Sequence, residues 1–248
     1  MWGDGIMTDG RPQDGAAPRF RLRAWAGWLP GAEDRQGDGT ADVAPLPALL
    51  RRRVTPPGRR VLDAAWAVLS RGPSARPRLV LSSRHGEYDR TLGLLRALAE
   101  SDEVSPADFS LAVHHGLAGL LSIATGNRGG HVAVAAGADS FGAGCLEAVA
   151  ALGESDAADG VLLLHVDAPL PAAYDAVGGG PEADLALALW LAPAQGGDAG
   201  PCFDLSVAAG DAAPAAPLVP SFVRLLQGEA DAVTARGDRL TWSWRRVA

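Results

Sequence analysis

The side chains with reactive chemistry are few: five histidines, two cysteines, and carboxylates at predicted strand ends. Lysine is absent, since all 22 basic residues are arginine. That excludes a Schiff-base lysine, a phosphate-loop lysine and a lysine general acid. Cys145 lies among Gly and Ala at helical spacing, the setting of a buried, inert thiol. His114 and His115 are adjacent, so on a helix they point in different directions and lack the i,i+4 spacing of a metal pair. No Cys or carboxylate cluster completes a site, and no metal or cofactor is expected. His165 ends the apolar run VLLLHV and reads as a satisfied core or strand-end histidine.

Asp139 and Asp167 suggest general bases, but turn chemistry explains them more simply. Asp139 or Ser140 caps the helix that follows, and Asp167 opens the turn into Pro169. Ser140 is not a nucleophile elbow, because Ala138 stands where the first Gly of Gly-x-Ser-x-Gly belongs. The Gly-rich run Gly126–Gly130 precedes a strand and not a helix, so it is a turn and not a phosphate cradle.

The elements that must position these residues follow from hydrophobic period. Strands are expected at Arg21–Leu29, Arg78–Ser82, His131–Ala136, Val161–Val166, Asp184–Leu191, Phe203–Val207 and Leu240–Trp244. Helices are expected over Leu46–Ser70, Asp89–Ala99, Ser140–Leu152 and Ser221–Gln227. Another opens at Ser105-Pro106, with Ser as N-cap and Pro at the first position, and runs to about Ala124 before Gly126. Glu33–Pro45, Val177–Pro181, Ala194–Pro201 and Ala208–Pro217 read as loops and linkers. Strands alternating with helices argue a layered α/β domain over residues 19–248. Residues 1–18 are expected to be disordered, with Met7 an alternative start.

The net charge of −7 and the lack of a basic stripe speak against nucleic acid. Arg51–Arg53, the one dense basic run, reads as a solvated helix end. Two cysteines make no disulfide framework, and the acidic, Gly-rich start lacks the order of a signal peptide. No apolar run is long enough to span a membrane. A cytoplasmic protein is expected.

The stretch from Val104 to Leu152 resembles the β-ketoacyl synthases of fatty-acid and polyketide synthesis. Ser105-Pro106, Ala118-Gly119 and Gly126-x-Arg128-Gly129 fall in register with that family's motifs without gaps. His115 takes the place of an Asn and Gly130 that of a Pro. The same count places Ala138 where the synthases have their cysteine, and Phe141 where a Gly follows. LPALLRRR (46–53), SSRHGE (82–87), TLGLLRALA (91–99) and AGADSFGAGCLEA (136–148) are similar to the short chain-length-factor-like proteins of aryl polyene and xanthomonadin-type clusters.

The resemblance implies a thiolase-like α/β fold, layered α-β-α and truncated to the N-terminal half plus a short remnant. It implies no catalysis, since the methyl of Ala138 cannot carry an acyl group. The implied role is a chain-length factor paired with a full-length β-ketoacyl synthase and meeting acyl carrier protein only indirectly. Pairing runs through the strand of Val132 and Val134, with Asp108, Phe109, Val113 and His115 at the acyl tunnel or interface. Phe109 is either a tunnel floor or plain core. Trp25, Trp28, Trp66, Trp190, Trp242 and Trp244 fill the core or the surface left by the missing half, and the Trp242/Trp244 strand is a candidate partner-covered edge. The competing reading is a weak acyltransferase or thioesterase acting on acyl-carrier-protein thioesters.

Overall fold

A computed structural model of the chain describes residues 17–30, 35–38, 46–72, 74–101, 103–154, 159–174, 176, 181, 183–195, 197, 199–210 and 216–247. The expected disordered terminus lies outside the described residues except for Ala17 and Pro18, and most of the Glu33–Pro45 loop lies outside them too.

The strands are β1 (Arg19–Trp28), β2 (Gln36–Gly37), β3 (Arg78–Ser82), β4 (His131–Val134), β5 (Val161–Asp167), β6 (Leu185–Pro193), β7 (Cys202–Ala209), β8 (Ala232–Arg236) and β9 (Leu240–Val247). They form one sheet in the order β4-β3-β5-β6-β1-β7-β9-β8, with β2 paired to β1. β4, β3 and β5 run parallel, and the remaining pairings are antiparallel.

Helices cover both faces, so the central strands read as continuous apolar runs. The two-residue side-chain period then sorts each strand between two cores. Leu79, Leu81, Leu162 and Leu164 face α2 (Pro56–Leu69) and α5 (Gly116–Thr125). Val80, Val161 and Leu163 face α6 (Ser140–Ala151) and α7 (Leu218–Leu226). The result is the expected α-β-α layering of a thiolase-like fold.

Three expectations are corrected. The Leu46–Ser70 helix is two, α1 (Ala48–Arg51) and α2, because Pro56-Pro57 breaks it. Proline lacks the donor a continuing helix needs and forces the preceding Thr55 into extended backbone, from which Thr55 Oγ1 accepts the Gly58 N–H at 3.3 Å. The helix opened by Ser105-Pro106 is also two, α4 (Pro106–Leu111) and α5. α5 buries Leu117, Ala118 and Leu121 under the sheet, whereas α4 buries nothing. One straight helix cannot do both, and His114 and His115 sit in the turn between, not on a helix. Finally, Trp242 and Trp244 lie on no edge. β9 runs between β7 and β8, and both indoles are 1% exposed or less in the core with Phe141 and Phe222.

Candidate functional site

β4 positions the candidate site. It is one of the two end strands of the sheet and, among the described residues, pairs on one side, to β3. Its far end turns through residues 135–139 into α6, the strand-to-helix corner that holds Ala138.

The corner is a closed hydrogen-bonded unit. Ser140 Oγ accepts the Ala136 N–H at 2.9 Å and donates to the Gly137 carbonyl at 2.7 Å, so it is fixed in the turn. Asp139 occupies the N-cap position, but its side chain does not cap α6 as expected. It turns instead to the β8–β9 hairpin. Oδ1 accepts the Trp242 indole N–H at 2.8 Å and Oδ2 accepts the Arg239 backbone N–H at 3.0 Å. The hairpin reciprocates, because Asp238 Oδ2 accepts the Ala138 backbone N–H at 2.8 Å.

Beside the corner lies a cavity of about 580 Å³ lined by Ala138, Phe141, His165, Asp167, Leu185 and Leu218 among others. His165 Nδ1 lies 2.9 Å from Ser82 Oγ, and Nε2 lies 3.4 Å from Asp167 Oδ2. Burial pushes its pKa below the ordinary imidazole range, which keeps it neutral. This is the satisfied core histidine expected from the sequence. Asp167 does more than open a turn: its Oδ1 accepts Ser83 Oγ–H at 3.0 Å and Arg84 N–H at 2.7 Å. Cys145 is fully buried, and burial drives its thiol pKa upward, away from thiolate chemistry.

At the β4 edge, the backbone decides which residues are free. Gly130 and Val134 carbonyls accept from Leu79 and Ser83 of the β3 side. Strand periodicity therefore turns the backbone groups of Val132 and Val134 toward β3 and those of His131 and Ala133 outward. The Val132 and Val134 side chains pack against the α6 core. They hold the edge strand in place while Ala133 and His131 present it.

Next to this edge stands a platform built by α3 (Tyr88–Ser101), α4 and α5. His115 joins it to β4, its ring stacked on His131 at 5.7 Å between centroids and 28° between planes. Ser105 starts α4 by accepting the Asp108 N–H at 3.2 Å. Arg90 of α3 then ties the platform together. It pairs with Asp108, donates to the Arg53 carbonyl at 2.8 Å, and stands 3.7 Å from Glu87. Glu87 is buried, accepts the Thr55 hydroxyl at 2.9 Å, and is raised above the usual carboxylate range by that burial.

The platform exposes apolar side chains: Phe109 at 65%, Ile123 at 81% and, less so, Leu95, Leu98, Val104 and Val113. Phe109 is thus not core of this chain. Nor do Phe109 and Val113 share a helical face, because α4 ends at Leu111. An open cleft of about 1150 Å³ lies among α3, α4 and α5, with Leu94, Ala97, Leu111, His115, Leu120 and Ile123 in its wall. Arg90 and His131 had no sequence signal as site residues, since a charge on an exposed helix reads as solvated. Asp238 lies in a Gly-Asp turn whose first strand, AVTAR, is too weakly apolar to announce itself.

Residues 25–245 match the family model for the N-terminal domain of β-ketoacyl synthases. The chain belongs to the β-ketoacyl synthase family. No curated protein matches the sequence. Among solved structures, it is similar to a chain of the ketosynthase ApeO in complex with its chain length factor ApeC from Xenorhabdus doucetiae. The TM-score is 0.69 at 25% identity, over 91% of this chain and 99% of that one. It is also similar to the ishigamide ketosynthase/chain length factor, with TM-score 0.55 and 15% identity, over 86% of this chain and 74% of that one. A β-ketoacyl synthase from Burkholderia phymatum gives TM-score 0.57 and 13% identity, over 86% and 71%. The last two likenesses speak for the fold alone.

Proposed function

We propose that this member of the β-ketoacyl synthase family is a non-catalytic chain-length factor. It pairs with an active synthase and shapes that enzyme's acyl tunnel in fatty-acid or polyketide-type synthesis, of the aryl polyene kind by its sequence resemblance. The observation that carries the reading is the methyl of Ala138, in the corner after β4 to which the family's motifs count the nucleophile, beside a strand whose outer side is open among the described residues. A condensation needs a thiolate to hold the acyl chain, and a methyl has no lone pair to offer.

Three further features support it. The outward backbone of His131 and Ala133 is a template for one more strand. The adjoining Phe109, Ile123 and Val113 form an apolar surface of the kind that marks a protein interface. The chain it resembles comes from a ketosynthase–chain length factor complex, at 25% identity over 99% of that chain. In this reading Asp108 holds α4 against Arg90, Phe109 and Val113 reach the seam, and His115 locks the platform to β4. Acyl carrier protein meets the complex through the synthase, in the cytoplasm.

The test is co-expression with a full-length β-ketoacyl synthase of the same organism, capture through a tag on this chain, and treatment of the complex with cerulenin. The expected result is a stoichiometric pair with the adduct on the synthase alone. A soluble monomer that never captures the synthase overturns the pairing. An adduct on this chain favours a weak acyltransferase or thioesterase instead.

A further inference from the structure

The Gly237–Arg239 turn between β8 and β9 does more than connect two strands. It lies against the Ala138 corner, and two aspartates cross-bond the pair. Asp238 of the turn takes the Ala138 N–H, and Asp139 of the corner takes the N–H groups of Arg239 and Trp242. The approach leaves no space for side chains at two glycines. A Cβ on Gly137 would lie 2.3 Å from Asp238 Oδ2, and one on Gly237 would lie 2.0 Å from Asp139 Oδ1. Gly137 also has φ +62, which disfavours any other residue. Below the turn, Trp242 fits flush on Gly142 of α6, where a Cβ would lie 2.2 Å from the indole.

This placement has a chemical consequence. In acyl transfer, negative charge develops on the attacked carbonyl oxygen and needs aimed donors, among them the backbone N–H of the nucleophilic residue itself. At this corner that donor is the Ala138 N–H, and a carboxylate already holds it. We propose that the Gly237–Arg239 turn is an internal latch, with Asp238 filling the position that an acyl oxyanion would occupy. The corner is therefore closed twice. The methyl of Ala138 removes the nucleophile, and Asp238 consumes the oxyanion donor while setting a negative charge where another would form. The second closure is independent of the first and of any partner, so it goes beyond the chain-length-factor reading.

The test restores the nucleophile and then removes the latch. Ala138→Cys, Ala138→Cys/Asp238→Asn and Ala138→Cys/Asp238→Ala are made in the full chain. Two reagents are compared by intact mass, which assigns adducts to this chain even beside a partner. Iodoacetamide alkylates a thiolate by displacing iodide and forms no oxyanion, so it reports thiol access and ionisation. With p-nitrophenyl hexanoate, the introduced thiolate attacks the ester carbonyl, the tetrahedral oxyanion collapses, p-nitrophenolate leaves, and a hexanoyl thioester remains.

The latch predicts slow acylation of Ala138→Cys despite measurable alkylation. Removing the carboxylate should raise the ratio of acylation to alkylation rate by about tenfold or more, a fraction of the roughly hundredfold or more that one oxyanion donor is worth. The Asn variant, which retains an acceptor without the charge, should fall between. A ratio unchanged across the three folded variants overturns the proposal, as does rapid acylation of Ala138→Cys with Asp238 in place. If Asp238→Ala fails to fold, the Asn variant alone decides it.

Discussion

Asp139 and Trp242 stand 103 positions apart in the chain, yet their side chains share a buried 2.8 Å hydrogen bond that joins α6 to β9. The second oxygen of Asp139 holds the Arg239 N–H, so one carboxylate fastens the C-terminal hairpin to the corner. Asp139→Ala leaves the indole N–H without a partner in a dry site. We expect a loss of about 2–3 kcal/mol, as for a buried bond to a charged group. The denaturation midpoint of the variant checks this. An unchanged midpoint would mean that the hairpin is held by packing alone.

Ala133 tests the edge strand. Its backbone N–H faces away from β3, so Ala133→Pro removes a donor that the fold itself does not use. The chain should keep its circular dichroism spectrum and lose capture of the synthase by about tenfold or more, one strand-pairing hydrogen bond plus the local distortion. Undiminished capture would place the partner elsewhere.

Phe109 tests the proposed tunnel. Because its side chain is largely exposed, Phe109→Ala should change the chain's own stability by about 0.5 kcal/mol or less. In the reconstituted complex, mass spectrometry should show longer products at nearly unchanged yield of complex. Unaltered product length in an intact complex would remove Phe109 from the tunnel.

His165 gives a pH signature. Burial lowers its pKa, so the folded chain resists a proton that the unfolded chain accepts at the ordinary histidine value. Its contribution is present above that value and is lost as pH falls through the window beneath it. Between about pH 7 and about pH 5, melting temperature should fall more in the wild type than in His165→Gln, which keeps a hydrogen-bonding side chain without the titration. Parallel curves would mean that another group, such as His85, carries the acid sensitivity.

Much of this protein was legible along the chain. β3 matches its expected bounds, and the two-sided burial of β5 follows from a run of apolar residues with no polar alternation. Ser105-Pro106 announced a helix start because capping is a contact between residues three apart. Counting along the family motifs is what puts Ala138 forward for the nucleophile position we propose, and a methyl's lack of nucleophilic chemistry needs no tertiary structure. Period, capping and covalent chemistry are local properties, so sequence suffices for them.

The tertiary structure decided what depends on contacts between distant residues. Asp139 or Ser140 read as the helix cap, yet the Asp139 carboxylate turned away to an indole and an amide 100 and more positions on, which no local pattern encodes. Ser105-Pro106 read as the start of one long helix, yet the need to bury α5 and leave α4 outside split it at His114 and His115. Trp242 and Trp244 read either as core or as a partner-covered edge, and β8, nearly silent in sequence, decided for the core by pairing on their outer side. Strand order likewise left β4 at one end of the sheet, and the side it leaves open is what makes it a proposed partner's docking line.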